Sequence, residues 1–187
     1  AVVLTPGQST TTTLTFNAAL TDPETAAYVC LEKTEGLTLP TAEEILRDGK
    51  AIAQTGDILV ENLKPSTTYV IAAAVTNTGI YSEVNSIVMA TGTPTPVVTL
   101  TAGATAPTTL TFTVGLADTE KAAYVCLEKA DGTPVPTAEK ILTDGTAIAQ
   151  AGEITVDNLK DGTTYVIAVA ASNKEVYSEV KSIEMAT

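Results

Sequence analysis

The feature of this sequence that most constrains its fold is an internal duplication. Residues 97–187 align without a gap on residues 1–91, and about 56 of the 91 aligned positions are identical. Residues 26–33, for example, recur unchanged as residues 122–129. A repeat of about 90 residues is too long for one turn of a solenoid and has the size of an independent domain. The duplication therefore predicts two domains, residues 1–91 and 97–187, each with its own core.

The segment between the copies has a composition of its own. Residues 92–96 read Gly-Thr-Pro-Thr-Pro. Two prolines in five residues restrict the backbone, and this predicts a short and fairly stiff linker.

Hydrophobic periodicity within each copy indicates β-strands. In residues 11–20 apolar side chains alternate with threonine, which is typical of a half-buried strand. Residues 27–31 are apolar at nearly every position, as expected of a central strand. Further strands are predicted at residues 2–4, 57–60, 67–75 and 84–89. Short strands separated by turns predict an all-β fold, a seven-stranded β-sandwich in each copy.

One segment in each copy has a helical pattern instead. In residues 40–49, Thr41 can cap a helix and Glu44 can complete a capping box. Gly49 is expected to end this helix. The second copy has Lys140 where the first has Glu44, so its cap is expected to be weaker. The pattern places a short helix between the third and fifth strands of each sandwich.

Charge and composition exclude several classes of function. The net charge is −12, a field that repels nucleic-acid phosphates and anionic membrane surfaces. We therefore expect no nucleic-acid partner, and no direct membrane insertion because apolar runs are short. The sequence contains no histidine, which excludes catalysis by a Ser-His-Asp or Cys-His arrangement and zinc sites that use histidine. A non-enzymatic protein without cofactor or metal is expected.

Cysteines and acidic residues are the remaining candidates for chemistry. Cys30 and Cys126 occupy equivalent positions, and we interpret both as small buried hydrophobic residues. A reactive thiol or an intermolecular bridge is the alternative. Carboxylates flank several turns without the ligand density that calcium needs, so we interpret them as solvated surface. These carboxylates are Asp22, Glu24, Asp57, Glu61, Asp118, Glu120, Glu153 and Asp157. Paired carboxylates could also hydrolyse glycosides, but such small domains leave little room for a cleft.

The turn before the last strand of each copy supplies the candidate ligand contacts. Tyr81 and Tyr177 follow this turn, and Asn77 and Asn173 precede it. A tyrosine beside a loop can contact a sugar or a protein, or it can cap its own sandwich, which is the interpretation we favour. The loop differs between the copies, which is consistent with two different ligands or with none.

The segment before and within the sixth strand resembles the signature of fibronectin type III domains, which have an immunoglobulin-like fold. Leu63, Pro65, Thr67 and Tyr69 fall on the family pattern, and the second copy retains Leu159, Thr163 and Tyr165. The resemblance implies that Tyr69 and Tyr165 are tyrosine-corner residues, whose hydroxyls bind the backbone upstream.

Two departures from the family pattern accompany the resemblance. The usual tryptophan of the second strand is missing, and Phe16 or Phe112 is expected in its place. The predicted helix stands where a typical member has a short edge strand.

The resemblance also carries an expectation about function. Similar modules occur in large bacterial surface proteins, so we expect an extracellular or cell-surface location, secreted or lipid-anchored through a removed leader. The expected role is an adhesion or spacer element, as a monomer or part of a longer chain. The alternative is a carbohydrate-binding or accessory module of a polysaccharide-degrading enzyme, although aromatic residues make up only 4%. A glycan or a host or matrix protein is the expected partner.

Overall fold

A computed structural model describes residues 1–130, 132 and 134–187. It divides into two compact units, Ala1–Thr93 and Pro94–Thr187. The first unit contains β1 (Val2–Ser9), β2 (Leu14–Leu20), β3 (Thr25–Glu32), α1 (Ala42–Asp48), β4 (Lys50–Ala51), β5 (Gly56–Val60), β6 (Thr68–Asn77), β7 (Ile80–Tyr81) and β8 (Asn85–Ala90). The second unit contains β9 (Val97–Ala106), β10 (Thr109–Ala117), β11 (Lys121–Glu128), α2 (Ala138–Asp144), β12 (Thr146–Ala147), β13 (Gly152–Val156), β14 (Thr164–Asn173), β15 (Val176–Tyr177) and β16 (Lys181–Ala186).

Each unit is a sandwich of two antiparallel sheets. In the first unit the smaller sheet has the order β1-β2-β5, and the larger has β4-β3-β6 followed by β7 and β8. Both β7 and β8 pair with β6, so they are two parts of one edge strand interrupted at residues 82–84. The second unit repeats this order with β9 to β16. The predicted all-β fold with seven-stranded sandwiches is therefore confirmed.

The core between the two sheets is filled from the alternating positions of β2 and β6. Leu14, Phe16 and Ala18 are fully buried, and Ile71 and Ala73 cover them from the other sheet. Because successive side chains of a strand point to opposite faces, the alternation in the sequence maps directly onto this core.

Aromatic rings meet at the centre of each core. The rings of Phe16 and Tyr28 lie edge to face with centroids 5.2 Å apart, and Phe112 and Tyr124 repeat the contact at 5.3 Å. Phe16 and Phe112 are among the largest fully buried side chains, in agreement with their expected role in place of tryptophan.

The larger sheet of each unit is buried on its outer face as well. Ala27, Ala72 and Ala74 point away from the main core and form a second cluster with Ile45 of α1. These alanines let the helix lie close to the sheet, and Ile45 is fully buried as a result. Burial of such a side chain contributes about 1.5–3 kcal/mol. The second unit builds the same cluster from Ala123, Ile141, Ala168 and Ala170.

The helix caps differ between the units as the sequence predicts. The Thr41 hydroxyl accepts a hydrogen bond from the Glu44 N–H at 3.3 Å, and the Thr41 N–H donates to Glu44 Oε2 at 2.8 Å. In α2, Thr137 accepts from the Lys140 N–H at 3.4 Å. Lys140 has no acceptor for the Thr137 N–H, and its ammonium donates to Asp144 at 2.6 Å.

Gly49 ends α1 for a reason other than the expected left-handed turn. Its φ is −78° and its ψ is 174°, an extended conformation open to any residue. A Cβ at this position would lie closest to the Ile45 carbonyl oxygen of the last helical turn and 2.7 Å from the Tyr28 carbonyl oxygen of β3, so only glycine fits here. Gly145 repeats the arrangement, with a Cβ position 2.6 Å from the Tyr124 oxygen.

The expectation that the helix replaces the short edge strand is wrong. The strand β4 follows α1 directly and pairs with β3 through Ala27↔Ala51 and Tyr28↔Lys50. The helix is an addition before this strand, and it covers the outer face of the sheet rather than extending its edge.

Candidate functional site

The candidate residues of the first unit lie on a tight hairpin at the edge of the larger sheet. Asn77 pairs with Ile80, and the two turn residues Thr78 and Gly79 have φ values of 49° and 77°. Two successive positive φ angles are typical of a type I′ turn, which glycine accommodates easily. The hairpin leaves Tyr81 50% exposed and Ile80 73% exposed.

Hydrogen bonds fix this hairpin to the turn between β2 and β3. The Asn77 side-chain amide donates to the Asp22 carbonyl oxygen at 2.9 Å. The Thr78 N–H donates to Glu24 Oε2 at 3.0 Å. Between the hairpin and this turn runs an open groove of about 640 Å³. We call it the Tyr81 groove and define it by Thr21, Asp22, Asn77, Thr78, Ile80 and Tyr81.

The second unit has a hairpin in the same register, with Asn173 paired to Val176 and a positive φ of 53° at Lys174. Tyr177 is 46% exposed, and the Lys174 N–H donates to Glu120 Oε2 at 2.9 Å. The Asn173 side-chain amide donates to the carbonyl oxygen of Pro94 at 3.5 Å, a long bond. Pro94 belongs to the segment that precedes β9.

The residues expected to form the linker are bonded to the units on either side. The Gly92 N–H donates to the Thr10 oxygen at 2.8 Å, and the Ser66 N–H donates to the Gly92 oxygen at 3.0 Å. Residues 94–96 lie with the second unit, where Pro96 is buried. The sequence does not predict these hydrogen bonds, because the partner residues are far apart along the chain.

Acidic residues near the hairpins have a structural use. Glu24 and Glu120 accept hydrogen bonds from the backbone of the loop opposite. Asp57 accepts a bond from the Asn17 side chain at 2.9 Å. Within residues 1–130, 132 and 134–187, no three histidine, cysteine or acidic side chains are grouped so that they could hold a metal ion.

Both cysteines are less buried than expected. Cys30 and Cys126 are half-buried free thiols that pack against the main cores of their own units. Burial raises the pKa of each thiol, which lowers the thiolate fraction at neutral pH. The interpretation as small hydrophobic residues fits these contacts, although neither side chain is fully enclosed.

Of three comparisons with known proteins, the one with solved structures finds a similar fold. No family model matches the chain, and a search of curated proteins finds no match. Among solved structures, the chain is similar to a two-domain fibronectin type III segment of chicken tenascin. The TM-score is 0.56 at 13% identity, over 99% of this chain and 98% of that chain. The two units are therefore tandem fibronectin type III-like sandwiches.

Across the described part of the chain, no helix is long and apolar enough to cross a membrane.

Proposed function

We propose that this chain is a non-catalytic module of a larger bacterial cell-surface or secreted protein, where it serves as an adhesion or spacer element. The observation that supports this proposal is the distribution of identity between the two units. Contacts that hold the sandwich recur in both units, whereas several exposed positions that could meet a ligand differ.

The recurrent contacts surround the turn before the sixth strand. Thr91 Oγ1 donates to the Lys64 oxygen at 2.6 Å and accepts from the Thr67 N–H at 3.0 Å. Thr187 makes the equivalent bonds to Lys160 and Thr163 at 2.7 and 3.0 Å. A clamp of this kind joins the last strand to the turn, and both units keep it.

An ion pair repeats at the same end of the sheet. The Lys64 ammonium lies 2.6 Å from Glu32, and Lys160 lies 2.6 Å from Glu128. Both pairs are exposed, so each adds little to stability. Their recurrence shows that both units have kept this surface pair.

Several exposed positions differ between the two units. Residues 78–80 read Thr-Gly-Ile, against Lys-Glu-Val in the second unit. Val88 is 52% exposed on the edge strand, and its counterpart Glu184 forms an ion pair with Lys129 at 2.6 Å. A module that serves chiefly by its length and fold tolerates such changes.

The exposure of Tyr81 and Tyr177 favours a second candidate, a carbohydrate-binding or accessory module. A ring that is half exposed can stack on a sugar. The chain has six tyrosines and two phenylalanines, and the other six rings contribute to the cores of the units. A single exposed ring in each unit offers less surface than the flat row of rings expected for a glycan chain, so we rank this candidate second.

A binding screen separates the two candidates. The purified two-unit protein would be applied to immobilised glycans, mucins and extracellular-matrix proteins. Saturable binding to a matrix protein or mucin that survives moderate salt would support adhesion. Binding to a glycan that is lost in Tyr81→Ala or Tyr177→Ala, but kept in Val88→Ala, would establish the second candidate instead.

The location needs a separate test. Antibodies raised against the chain should label intact cells that express the parent protein, or detect it in their medium. Detection only after the cells are lysed would contradict the proposed surface or secreted location.

A further inference from the structure

We propose that two copies of this chain can exchange their last strands, so that β8 or β16 of one copy completes a unit of the other. The exchanged parts are residues 85–91 and 181–187, which we call the closing segments. The partner is a second copy of the chain, and either closing segment fits either unit. The inference goes beyond the adhesion or spacer role and rests on the contacts of these segments.

The two closing segments present the same buried side chains. They read Asn-Ser-Ile-Val-Met-Ala-Thr and Lys-Ser-Ile-Glu-Met-Ala-Thr, so only the first and fourth positions differ. Met89 lies opposite Tyr69, Ile87 lies opposite Ile71, and the same residue types face each other in the second unit. Met89 and its counterpart Met185 are 7% and 6% exposed. Replacing β8 by β16 therefore leaves no cavity and no overlap at these positions.

The hydrogen bonds of the closing segments also match. The threonine clamp of the first unit runs from Thr91 to the backbone of Lys64 and Thr67. Thr187 bonds the equivalent backbone atoms in the second unit. Because every residue of a turn supplies such backbone atoms, Thr187 can form the clamp of the first unit when β16 replaces β8.

The interruption between β7 and β8 supplies the hinge. Both strands pair with β6, and residues 82–84 connect them outside the ladder. Ser82 Oγ accepts a hydrogen bond from the Val75 N–H at 3.1 Å, which fixes the start of this connection. β8 can therefore leave β6 while β7 stays in place. The second unit repeats the interruption, with the Ser178 hydroxyl accepting from the Ala171 N–H at 2.9 Å.

The exposed difference between the closing segments is compatible with exchange. Glu184 stands where the first unit has Val88, and it forms an ion pair with Lys129 at 2.6 Å. Lys33 is the counterpart of Lys129, and the backbone N–H of each donates to β6 or β14 at 2.8 Å. When β16 enters the first unit, Glu184 therefore meets a lysine at the same position.

The other difference favours the native arrangement. Asn85 Oδ1 accepts a hydrogen bond from the Leu4 N–H at 3.2 Å. Lys181 stands at this position in the second closing segment, and a lysine side chain has no acceptor. An exchanged first unit loses this bond, so the exchanged dimer is a minor form beside the native monomer.

The exchange leaves no sheet incomplete. When β16 of one copy enters the first unit of the other, the displaced β8 fills the second unit that β16 has left. Nearly all contacts are kept, and such an exchange is a low-cost route to dimers. Exchange between neighbours is also a characteristic error of repeat proteins during folding. Refolding at high concentration favours it, because pairing between copies depends on concentration.

A disulfide trap detects the exchange. Two full-length variants, Thr68→Cys and Ala186→Cys, would be made in a chain whose Cys30 and Cys126 are replaced by alanine. Thr68 lies opposite Ala90 in the native ladder, so in an exchanged first unit it lies opposite residue 186 of the other copy. All three positions are exposed. The variants would be unfolded together, refolded at high concentration and oxidised with glutathione disulfide.

The matched pair should give severalfold more covalent dimer after joint refolding than the same mixture that was never unfolded. The offset control uses Ser182→Cys in place of Ala186→Cys. Ser182 is equally exposed on β16, but it lies four residues away, about 13 Å along the strand. Circular dichroism and the melting temperature of each variant would confirm that it folds. Equal yields from the matched and offset pairs, or monomers alone at every concentration, would overturn the proposal.

A charge change tests whether β16 fits the first unit. Lys33→Glu places a carboxylate where exchange would bring Glu184, whereas the native neighbour at that position is the uncharged Val88. Added to the Thr68→Cys chain, it should lower the yield of the matched pair severalfold. Added to a Thr164→Cys chain, which reports exchange of β16 between two second units, it should have no effect. A yield from the matched pair that does not change with Lys33→Glu would contradict the proposed fit.

Discussion

The phenolic hydroxyl of Tyr69 accepts a hydrogen bond from the backbone N–H of Lys64 at 2.9 Å, and Tyr165 accepts one from Lys160 at the same distance. Both rings are buried, at 6% exposure. The tyrosine corner implied by the resemblance is therefore present in both units. It fixes the turn that precedes the sixth strand, and the threonine clamp from the last strand holds the same residue.

Removal of the corner hydroxyl should destabilise the unit that contains it. Tyr69→Phe leaves the ring in place but deprives the Lys64 N–H of its partner, at an expected cost of about 1–3 kcal/mol. Guanidinium unfolding would measure the loss, with Tyr165→Phe as the matched change in the second unit. Tyr81→Phe is the control, because its ring is half exposed and the expected effect is below about 0.5 kcal/mol. Equal stability of Tyr69→Phe and the unaltered chain would show that water satisfies the Lys64 N–H.

Gly49→Ala should destabilise the first unit through a clash rather than through a strained φ angle. The added Cβ would clash with the Ile45 carbonyl oxygen and lie 2.7 Å from the Tyr28 carbonyl oxygen, so either the helix end or β3 must move. Overpacking of this kind typically costs about 1–3 kcal/mol. Gly92→Ala is the control, since the nearest atom to its Cβ would be 3.6 Å away. Thermal unfolding should give a lower melting temperature for Gly49→Ala than for Gly92→Ala. The reverse result would contradict the close contact.

The small residues beneath α1 should not tolerate enlargement. Ala74 is fully buried between β6 and the helix, so Ala74→Leu must displace Ile45 or lift the helix from the sheet. The expected loss is about 1–3 kcal/mol. Ala90→Leu, on an exposed position of the edge strand, should change the free energy of unfolding by less than about 0.5 kcal/mol. If amide hydrogen exchange along α1 is faster in Ala74→Leu but not in Ala90→Leu, the loss of stability comes from the contact between the helix and the sheet.

The sequence predicts those parts of the fold that leave a local pattern. Alternation in β2 marks its buried face, and the spacing of Thr41 and Glu44 marks the start of α1, because both patterns depend on neighbours within one element. The tyrosine corner is found from its motif for the same reason. The long apolar run of β6 also has a simple cause, since the helix covers the face that a typical sandwich leaves open.

The features that the sequence misses depend on partners far along the chain. β1 continues past the predicted residues 2–4 to Ser9, and polar residues there pair with β2 across a register shift between Pro6 and Ser9. β4 has only two residues, too few for any periodicity. Part of the need for Gly49 comes from the Tyr28 carbonyl of another strand, which no local pattern reveals.

The candidate site shows the same division. The sequence indicates the hairpin and its tyrosines, but not the hydrogen-bond partners of the two asparagines. Pro94 contacts Asn173, whereas Asn77 bonds Asp22, and identical residue types thus have different surroundings. Ile80, the more exposed neighbour of Tyr81, gave no signal because an isolated apolar residue is common on protein surfaces.

The capping box should make the stability of the first unit depend on pH. Hydrogen bonds from the backbone and hydroxyl of Thr41 hold the pKa of Glu44 below its ordinary value of 4.5. A carboxyl with a lower pKa in the folded state stabilises the fold above the unfolded value, and this contribution is lost as the pH falls through the folded pKa. Glu44→Ala should therefore lower the melting temperature at neutral pH, and the difference should shrink in acid below 4.5.

The second unit allows the converse experiment. Lys140→Glu creates the spacing of a capping box after Thr137, so it should raise the melting temperature of the second unit at neutral pH and lose this advantage in acid. Glu43→Ala is the control for the first unit, because Glu43 lies in the same helical turn but outside the box. Scanning calorimetry at about pH 7 and about pH 3 would measure all three variants. A gain in Lys140→Glu that persists at the lower pH would mean that it comes from helix propensity or charge elsewhere, since a protonated carboxyl cannot supply the carboxylate on which the box depends.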